Sequence, residues 1–210
     1  MRRDQYLYLI VLLLGTLVAG APAASAQAGY SPPPVGTQLT WVEGVGEDSR
    51  TRVSTVVANG VDFAVYLYDL KWDENQPSSY FAEYSGVHIA SCASAQPTQE
   101  ERNRLRSLWP LQTGRQLTIE APQSVTYQVG SLEQYTVSQS QGGAETSYRV
   151  TSQSGDRKTD LIISLELNTA VQMAWSDGSK VEAVDVFQGT QQVDGTLGQK
   201  IGLCRGLLGG

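Results

Sequence analysis

The chain has 210 residues, with 15 Lys or Arg against 21 Asp or Glu, so its formal net charge is −6. Because phosphates repel an acidic protein, this balance argues against nonspecific binding to nucleic acid or to anionic membranes. The length fits one domain with a single hydrophobic core.

The first 26 residues have the pattern of a secretory signal peptide. An Arg-Arg pair precedes an apolar run over residues 6–19, and Ala-Ser-Ala at residues 24–26 forms a cleavage site. The apolar run is shorter than the roughly 20 residues that a membrane-spanning helix needs. We therefore expect residues 1–26 to be removed, a periplasmic or secreted location, and no stable membrane span after cleavage.

The rest of the chain predicts a single β-rich domain over residues 27–188 and a flexible tail over residues 189–210, which holds seven glycines. Cys92 and Cys204 are the only two cysteines of the chain. In an oxidising compartment such a pair predicts a disulfide, which would attach the tail to the domain. The alternative is a buried Cys92 and an unpaired Cys204.

The N-terminal part of the domain has the patterns of β-strands and a tight turn. Residues 37–43 alternate apolar and polar side chains, which is typical of a half-buried strand. Asn59-Gly60 separates two further strand patterns, residues 50–58 and 61–68. Because both turn residues tolerate positive φ, they predict a β-hairpin with a type I′ turn.

One helix is predicted over about residues 98–109, after a strand pattern over residues 80–92 that is interrupted at Gly86. Thr98 and Glu101 form a capping-box pattern at its start. Pro110 ends the helix, because proline disfavours helical geometry at the residue before it. The apolar side chains expected to pack on one face or end of the sheet are Leu105, Leu108, Trp109 and Leu111.

From Gly114 onward the sequence has the pattern of a meander. Candidate strands recur about every ten residues, at 116–120, 124–129, 134–138, 147–151, 160–167, 171–175 and 181–187. Residues 138–157 are rich in Ser, Gln and Gly, and they predict a long exposed hairpin arm. The sequence has no β-α-β rhythm. The expected fold is therefore mainly β: an antiparallel curved sheet, an open barrel or a sandwich with one short α-helix.

The sequence contains no motif of a common catalytic or cofactor site. His88 is the only histidine, so a Ser-His-Asp triad or an imidazole zinc site would need it. Its alternation with Val87 and Ile89 instead predicts a residue on the polar face of a strand. The acidic residues 69–75 lack EF-hand spacing and are interpreted as a solvated turn. We therefore predict no catalytic residue, no metal site and no cofactor.

The most distinctive string is Leu108-Trp-Pro-Leu-Gln-Thr-Gly114, which follows Cys92, and Pro34-Val-Gly-Thr37 precedes both. This arrangement resembles small exported proteobacterial proteins of unknown function that pair a Pro-x-Gly-Thr strand with a later Leu-Trp-Pro-Leu-x-x-Gly motif. The resemblance covers roughly residues 30–187, and the chain departs from it after residue 150, where a clear Pro-Ala-Gly turn is lacking. It implies a curved antiparallel sheet and carries no catalytic residues.

These patterns favour a nonenzymatic domain that binds a protein partner or an apolar small molecule in the cell envelope. Aromatic side chains on a curved sheet make good binding surfaces, because they combine a large area with few rotatable bonds. The aromatic residues that we expect to form either a ligand surface or the core are Trp41, Tyr66, Tyr68, Trp109 and Trp175. One alternative is a structural envelope factor. The other is an envelope hydrolase using carboxylates such as Glu43, Asp62, Glu83 and Glu166.

Overall fold

In a computed structural model, the described residues form one antiparallel sheet of 11 strands and one short helix. The structure describes residues 29–44, 49–70, 79–120, 124–135, 145–188 and Cys204. The prediction of a mainly β, antiparallel fold with one short helix is therefore confirmed, and the sheet is not closed into a barrel. The predicted signal peptide, the acidic loop after residue 70 and all of the tail except Cys204 lie outside the described residues.

The elements follow one another in chain order. They are β1 (Thr37–Glu43), β2 (Arg50–Asn59), β3 (Phe63–Leu70), β4 (Ser79–Tyr84), β5 (His88–Ser91), α1 (Gln99–Arg106), β6 (Gln116–Ile119), β7 (Val125–Tyr135), β8 (Glu145–Ser154), β9 (Arg157–Ser164), β10 (Thr169–Trp175) and β11 (Lys180–Gln188).

Two meanders make up the sheet, whose order is β5-β4-β3-β2-β1-β11-β10-β9-β8-β7-β6. β1 to β5 form the first meander and β6 to β11 form the second, and the antiparallel pairing of β1 with β11 joins them. The consecutive strands β5 and β6 are therefore the two opposite edges of the sheet. Residues 92–115 connect them. The sheet curves so that its edges approach each other, since His88 of β5 is hydrogen-bonded to the Tyr127 hydroxyl of β7 near the opposite edge.

α1 lies in this connection and contacts both β4 and β6. The predicted capping box is confirmed: the Glu101 N–H donates to Thr98 Oγ1 at 3.3 Å, and the Thr98 N–H donates to Glu101 Oε2 at 2.7 Å. The regular helix ends at Arg106, three residues before the predicted end. The chain continues into a tighter turn, in which the Trp109 N–H donates to the Arg106 carbonyl.

Apolar side chains from both edges of the sheet and from the α1 segment form a first core. Leu105, Leu108 and Leu111 are each at most 1 % exposed, so the predicted packing of the helix segment on the sheet is confirmed. The principal members of this core are Phe63, Val65, Ala82, Tyr84, Leu105, Leu108, Trp109, Leu111, Ile119, Tyr127, Val129, Val150, Leu161 and Ile163.

A second core forms around the centre of the sheet, with Leu39, Trp41, Val56, Ala64, Tyr66, Ile162, Val171, Val181 and Ala183 as its main members. Alternate residues of β3 belong to different cores: Phe63 and Val65 to the first, Ala64 and Tyr66 to the second. Side chains alternate between the two faces of a strand. β3 is therefore buried on both faces, whereas its sequence predicts only one strictly apolar face.

The hairpin between β2 and β3 is confirmed, but the predicted type I′ turn at Asn59-Gly60 is wrong. Asn59 pairs with Ala64 as part of the ladder, and the Gly60 N–H donates to the Phe63 carbonyl at 2.9 Å. Val61 and Asp62 therefore form the tip of the hairpin. Neither Asn59 nor Gly60 has a positive φ.

Tertiary contacts explain this shift of the turn. The Asp62 side chain turns inward, is 4 % exposed, and lies 3.1 Å from Arg102 of α1, while its carbonyl accepts the N–H of Ser85. Gly60 makes room for a ring, since a Cβ there would lie 2.3 Å from Cε1 of Phe63. The glycine thus serves packing rather than a left-handed conformation.

Two predictions for the second meander also need correction. The sequence predicts separate strands at 124–129 and 134–138, but residues 125–129 and 134–135 belong to one strand, β7, whose register shifts between Val129 and Leu132, and residues 136–138 lie outside the described residues. The exposed arm predicted over residues 138–157 is wrong for residues 145–154. These residues form β8, which pairs with β7 on one side and β9 on the other and carries the fully buried Val150.

The predicted disulfide between Cys92 and Cys204 is present. Both cysteines are buried, with exposed fractions of 5 % and 1 %, and both belong to the first core. The bond attaches Cys204 to the connection between β5 and α1. Among the described residues, no helix has the length and apolar character that crossing a bilayer requires.

Candidate ligand-binding groove

A groove of about 610 Å³ lies between β5 on one side and β7 to β10 on the other. Its walls therefore come from both meanders. The lining residues are Val87, His88, Ile89, Val125, Tyr127, Ser152, Ser154, Arg157, Lys158, Thr159, Leu161, Met173, Trp175, Ser176 and Asp177. The volume falls within the roughly 300–1,000 Å³ typical of small-molecule sites.

Strand alternation decides which side chains of β8 face the groove. Ser152 and Ser154 line it, whereas Thr151 and Gln153 line a second hollow of about 400 Å³. Ser152 pairs with Thr159 of β9, which also lines the groove. Adjacent residues of β8, such as Ser152 and Gln153, therefore point to opposite faces of the sheet.

The deeper part of the groove is apolar. Val87 and Leu161 are 2 % and 3 % exposed and continue directly into the first core. Met173 of β10 is half-buried, and Trp175 at the end of the same strand is 39 % exposed. A large apolar ring that remains this accessible beside a hollow is the kind of surface on which an apolar molecule gains contact area.

His88 and Tyr127 form a polar pair in the groove wall. The Nδ1 atom of His88 and the hydroxyl of Tyr127 are hydrogen-bonded, which ties β5 to β7. Burial lowers the pKa of His88 below its usual value of 6.5, although the negative charge of Glu101 acts in the opposite direction. Burial likewise raises the pKa of the Tyr127 hydroxyl. The pair is therefore uncharged near neutral pH.

The rim of the groove carries three charged side chains, Arg157, Lys158 and Asp177. Lys158 Nζ lies 3.3 Å from Asp160 Oδ2, so part of its charge is balanced. Asp177 Oδ1 accepts hydrogen bonds from the N–H and the hydroxyl of Ser179, and these bonds lower the pKa of Asp177. Arg157 is exposed and takes part in none of the ion pairs found between described residues.

A separate polar cluster lies in the interior, around Glu83 of β4. The hydroxyl of Thr169 donates to Glu83 Oε2 at 2.7 Å and is itself 2.9 Å from the Tyr66 hydroxyl. The Ala170 N–H also points to Glu83 Oε2, at 3.4 Å. Burial raises the pKa of Glu83 to about 7, even though the hydrogen bonds from its neighbours favour the charged form.

This cluster joins β4 of the first meander to β10 of the second, and it is closed to solvent. Glu83 is 2 % exposed and Thr169 is 1 % exposed. The sequence offers a signal for this position, because Glu83 interrupts the apolar pattern of Phe81, Ala82 and Tyr84. An acid inside such a run predicts a buried, hydrogen-bonded carboxyl.

The other acidic residues considered for a hydrolase do not meet in the groove. Glu43 pairs with Arg52 at 2.9 Å, and Asp62 lies beside Arg102. Glu166 is exposed on the turn between β9 and β10. None of these residues, and not Glu83, lines the groove.

The five aromatic residues named from the sequence have different locations. Trp41, Tyr66 and Trp109 are core residues, at most 6 % exposed, and the indole N–H groups of the two tryptophans donate to Ser54 and Ser85. Tyr68 is half-buried beside Glu43 and Arg52.

Trp175 lines the groove, and Tyr127 does so as well. Sequence reasoning missed Tyr127, although its alternation with Val125 and Val129 marks an inward-facing residue.

Among the described residues, no group of three or more His, Cys, Asp or Glu side chains is arranged to hold a metal ion. Comparison of the sequence with protein-family models and with curated proteins finds no match.

Proposed function

We propose that the protein is an exported, nonenzymatic binding protein that holds a small apolar molecule in the groove between β5 and β7 to β10. The observation that supports this function is the groove itself, about 610 Å³ in volume, with an apolar floor that continues into the core and an exposed tryptophan at its end. An apolar floor of this kind favours a ligand through removal of its surface from water.

The affinity expected from apolar contacts alone is weak. Each methylene group removed from water contributes about 0.8 kcal/mol, so a chain of about ten contributes roughly 8 kcal/mol. Association costs at least about 4 kcal/mol in lost freedom of motion. The net free energy of at most about 4 kcal/mol in favour of binding corresponds to a dissociation constant of about 1 mM or weaker.

The chemistry of the groove supports binding over hydrolysis. A glycosidase needs two carboxyl groups that face each other across the bond to be cut. Asp177 is the one acidic side chain among the described lining residues, and its Oδ1 atom accepts hydrogen bonds from the N–H and the hydroxyl of Ser179. His88 is hydrogen-bonded to a tyrosine hydroxyl.

The proposed periplasmic or secreted location is supported by two independent features. The first is the Arg-Arg, apolar and Ala-x-Ala pattern at the start of the sequence. The second is the disulfide between Cys92 and Cys204, since such bonds persist in oxidising compartments.

The proposed relation to small exported proteobacterial proteins rests on the shared sequence string. Leu108, Trp109 and Leu111 of the Leu-Trp-Pro-Leu-x-x-Gly string are buried together in the first core, between the two edges of the curved sheet.

The test is a fluorescence titration with N-phenylnaphthylamine, a neutral apolar dye that brightens when it leaves water. The wild-type protein, with its disulfide intact, should bind the dye saturably. Ser152→Trp places an indole in the groove and should abolish this binding. Gln153→Trp is the matched control, because the neighbouring residue faces the other side of the sheet.

Equal loss of dye binding in both variants would point to a general loss of structure, which circular dichroism detects. Saturable binding that persists unchanged in a folded Ser152→Trp protein would refute the groove as the site. Native mass spectrometry of protein purified from the periplasm provides a second readout, a bound molecule that Ser152→Trp lacks and Gln153→Trp retains.

A further inference from the structure

Resting on that function, we infer that the groove selects molecules that carry an anionic group at one end of an apolar body, and that Arg157 binds the anionic group. The ligand class is therefore an amphipathic acid, such as a carboxylate, sulfate or phosphate ester with an apolar chain.

The β8–β9 hairpin sets the order of polar and apolar positions along the groove. Arg157, Thr159 and Leu161 alternate along β9 and all line it. Arg157 pairs with Ser154 beside the hairpin turn, whereas Leu161 pairs with Val150 in the core. A strand rises about 3.3 Å per residue, so the backbone positions of Arg157 and Leu161 are about 13 Å apart. A ligand lying along β9 meets a cation at one end and apolar side chains at the other.

The acidic side chains near the rim have other partners, so the guanidinium group of Arg157 can bind a ligand. Asp160 lies beside Lys158 and also accepts the hydroxyl of Thr151 at 2.6 Å. Asp177 hydrogen-bonds to Ser179, within its own turn. Within the described part of the chain, no acidic side chain forms an ion pair with Arg157.

Arg157 and the serines beside it offer hydrogen-bond donors, which an anion accepts. The guanidinium group presents N–H donors in a planar fork that matches two oxygens of a carboxylate, sulfate or phosphate. Ser152 and Ser154 line the same side of the groove, and their hydroxyls can donate to oxygens that the fork leaves unpaired.

The negative charge of the whole chain makes the positive rim of the groove the favoured place for an anionic group. With a net charge of −6, the surface as a whole repels anions, so a rim on which Arg157 and Lys158 outnumber Asp177 is a local exception. A ligand cation would meet Arg157 at the mouth of the groove. A neutral chain would gain the apolar contacts alone.

The experiment compares decanoate with decanol as competitors of bound N-phenylnaphthylamine, above the pKa of the acid. The two compounds share chain length and differ in charge. In the wild type we expect decanoate to displace the dye at about two- to fivefold lower concentration than decanol, the range expected for an exposed ion pair. Arg157→Gln should bring the ratio close to one. Arg50→Gln, which removes an exposed arginine outside the groove, should keep it.

The outcomes separate this inference from the function on which it rests. Failure of the dye to bind in the groove would reject the proposed function. Dye binding with equal displacement by decanoate and decanol in the wild type would reject the anionic selection alone. A decanoate preference that survives Arg157→Gln would show that another group recognises the anion. Added salt should reduce the preference, since it screens exposed charges.

Discussion

Replacement of Glu83 by Gln tests whether the interior of this protein contains a titrating carboxyl. Glu83 is 2 % exposed and links β4 to the start of β10 through the hydroxyl of Thr169. Gln has nearly the same shape, and its amide oxygen can accept the same hydrogen bond, but it cannot ionise. The two proteins should therefore differ in how stability depends on pH.

The direction and size of that difference follow from the pKa. Burial raises the pKa of Glu83 from 4.5 to about 7. Between these two values the folded chain holds a proton that the unfolded chain has released, so the free energy of unfolding falls as pH rises. A difference of about 2.5 pKa units at ~1.4 kcal/mol each corresponds to about 3 kcal/mol. This contribution is fully present below the unfolded pKa and is lost as pH rises through the folded value.

The assay is urea unfolding of the oxidised protein, followed by tryptophan fluorescence at several values from about pH 4.5 to about pH 8. The gap in stability between Glu83→Gln and wild type should shift by about 3 kcal/mol in favour of the variant as pH rises. Glu166→Gln, at an exposed carboxyl, controls for loss of charge. If the gap is the same at every pH, Glu83 does not titrate in this range and the reasoning is refuted.

Three further stability predictions rest on local features. Thr98→Ala removes the side-chain cap of α1 and should lower the free energy of unfolding by about 1 kcal/mol, measured by urea unfolding. Gly86→Ala should cost more than Gly155→Ala: both glycines have positive φ, but only at Gly86 would a Cβ meet backbone, 2.7 Å from a carbonyl oxygen. Equal costs would contradict this account. Reduction of the Cys92–Cys204 bond, 112 residues apart, should cost up to about 4–5 kcal/mol, and nonreduced peptide mapping should recover the linked pair.

The strands and the helix start could be predicted because each rests on a local pattern, and the disulfide could be predicted because the chain has only two cysteines. The Thr98–Glu101 capping box needs four residues, and the pairing of Cys92 with Cys204 needs only that no third cysteine competes. The position of the β2–β3 turn could not be predicted in the same way. Burial of Asp62 beside Arg102 and the packing of Phe63 over Gly60 override the preference of Asn-Gly.

The burial of β3 on both faces could be predicted only in part. Alternation indicates one apolar face for β3, yet Ala64 and Tyr66 are as buried as Phe63 and Val65. The sequence of β3 alone does not predict burial of its second face, because side chains from strands about 100 residues away pack against that face. Tyr66, for example, reaches Thr169.

The groove illustrates the same limit at the level of the candidate site. Its β5 wall, with His88, belongs to the first meander, and Leu161 and Trp175 belong to the second. No segment of the sequence contains both walls, so no motif could have identified the site. Long-range contacts set the distance between the walls: the β1–β11 ladder, the contact of Glu83 with Thr169 and the hydrogen bond from His88 to Tyr127. From the sequence, a candidate site of this kind can be predicted only as a set of inward-facing aromatic residues. Its full lining is defined only when the two meanders come together.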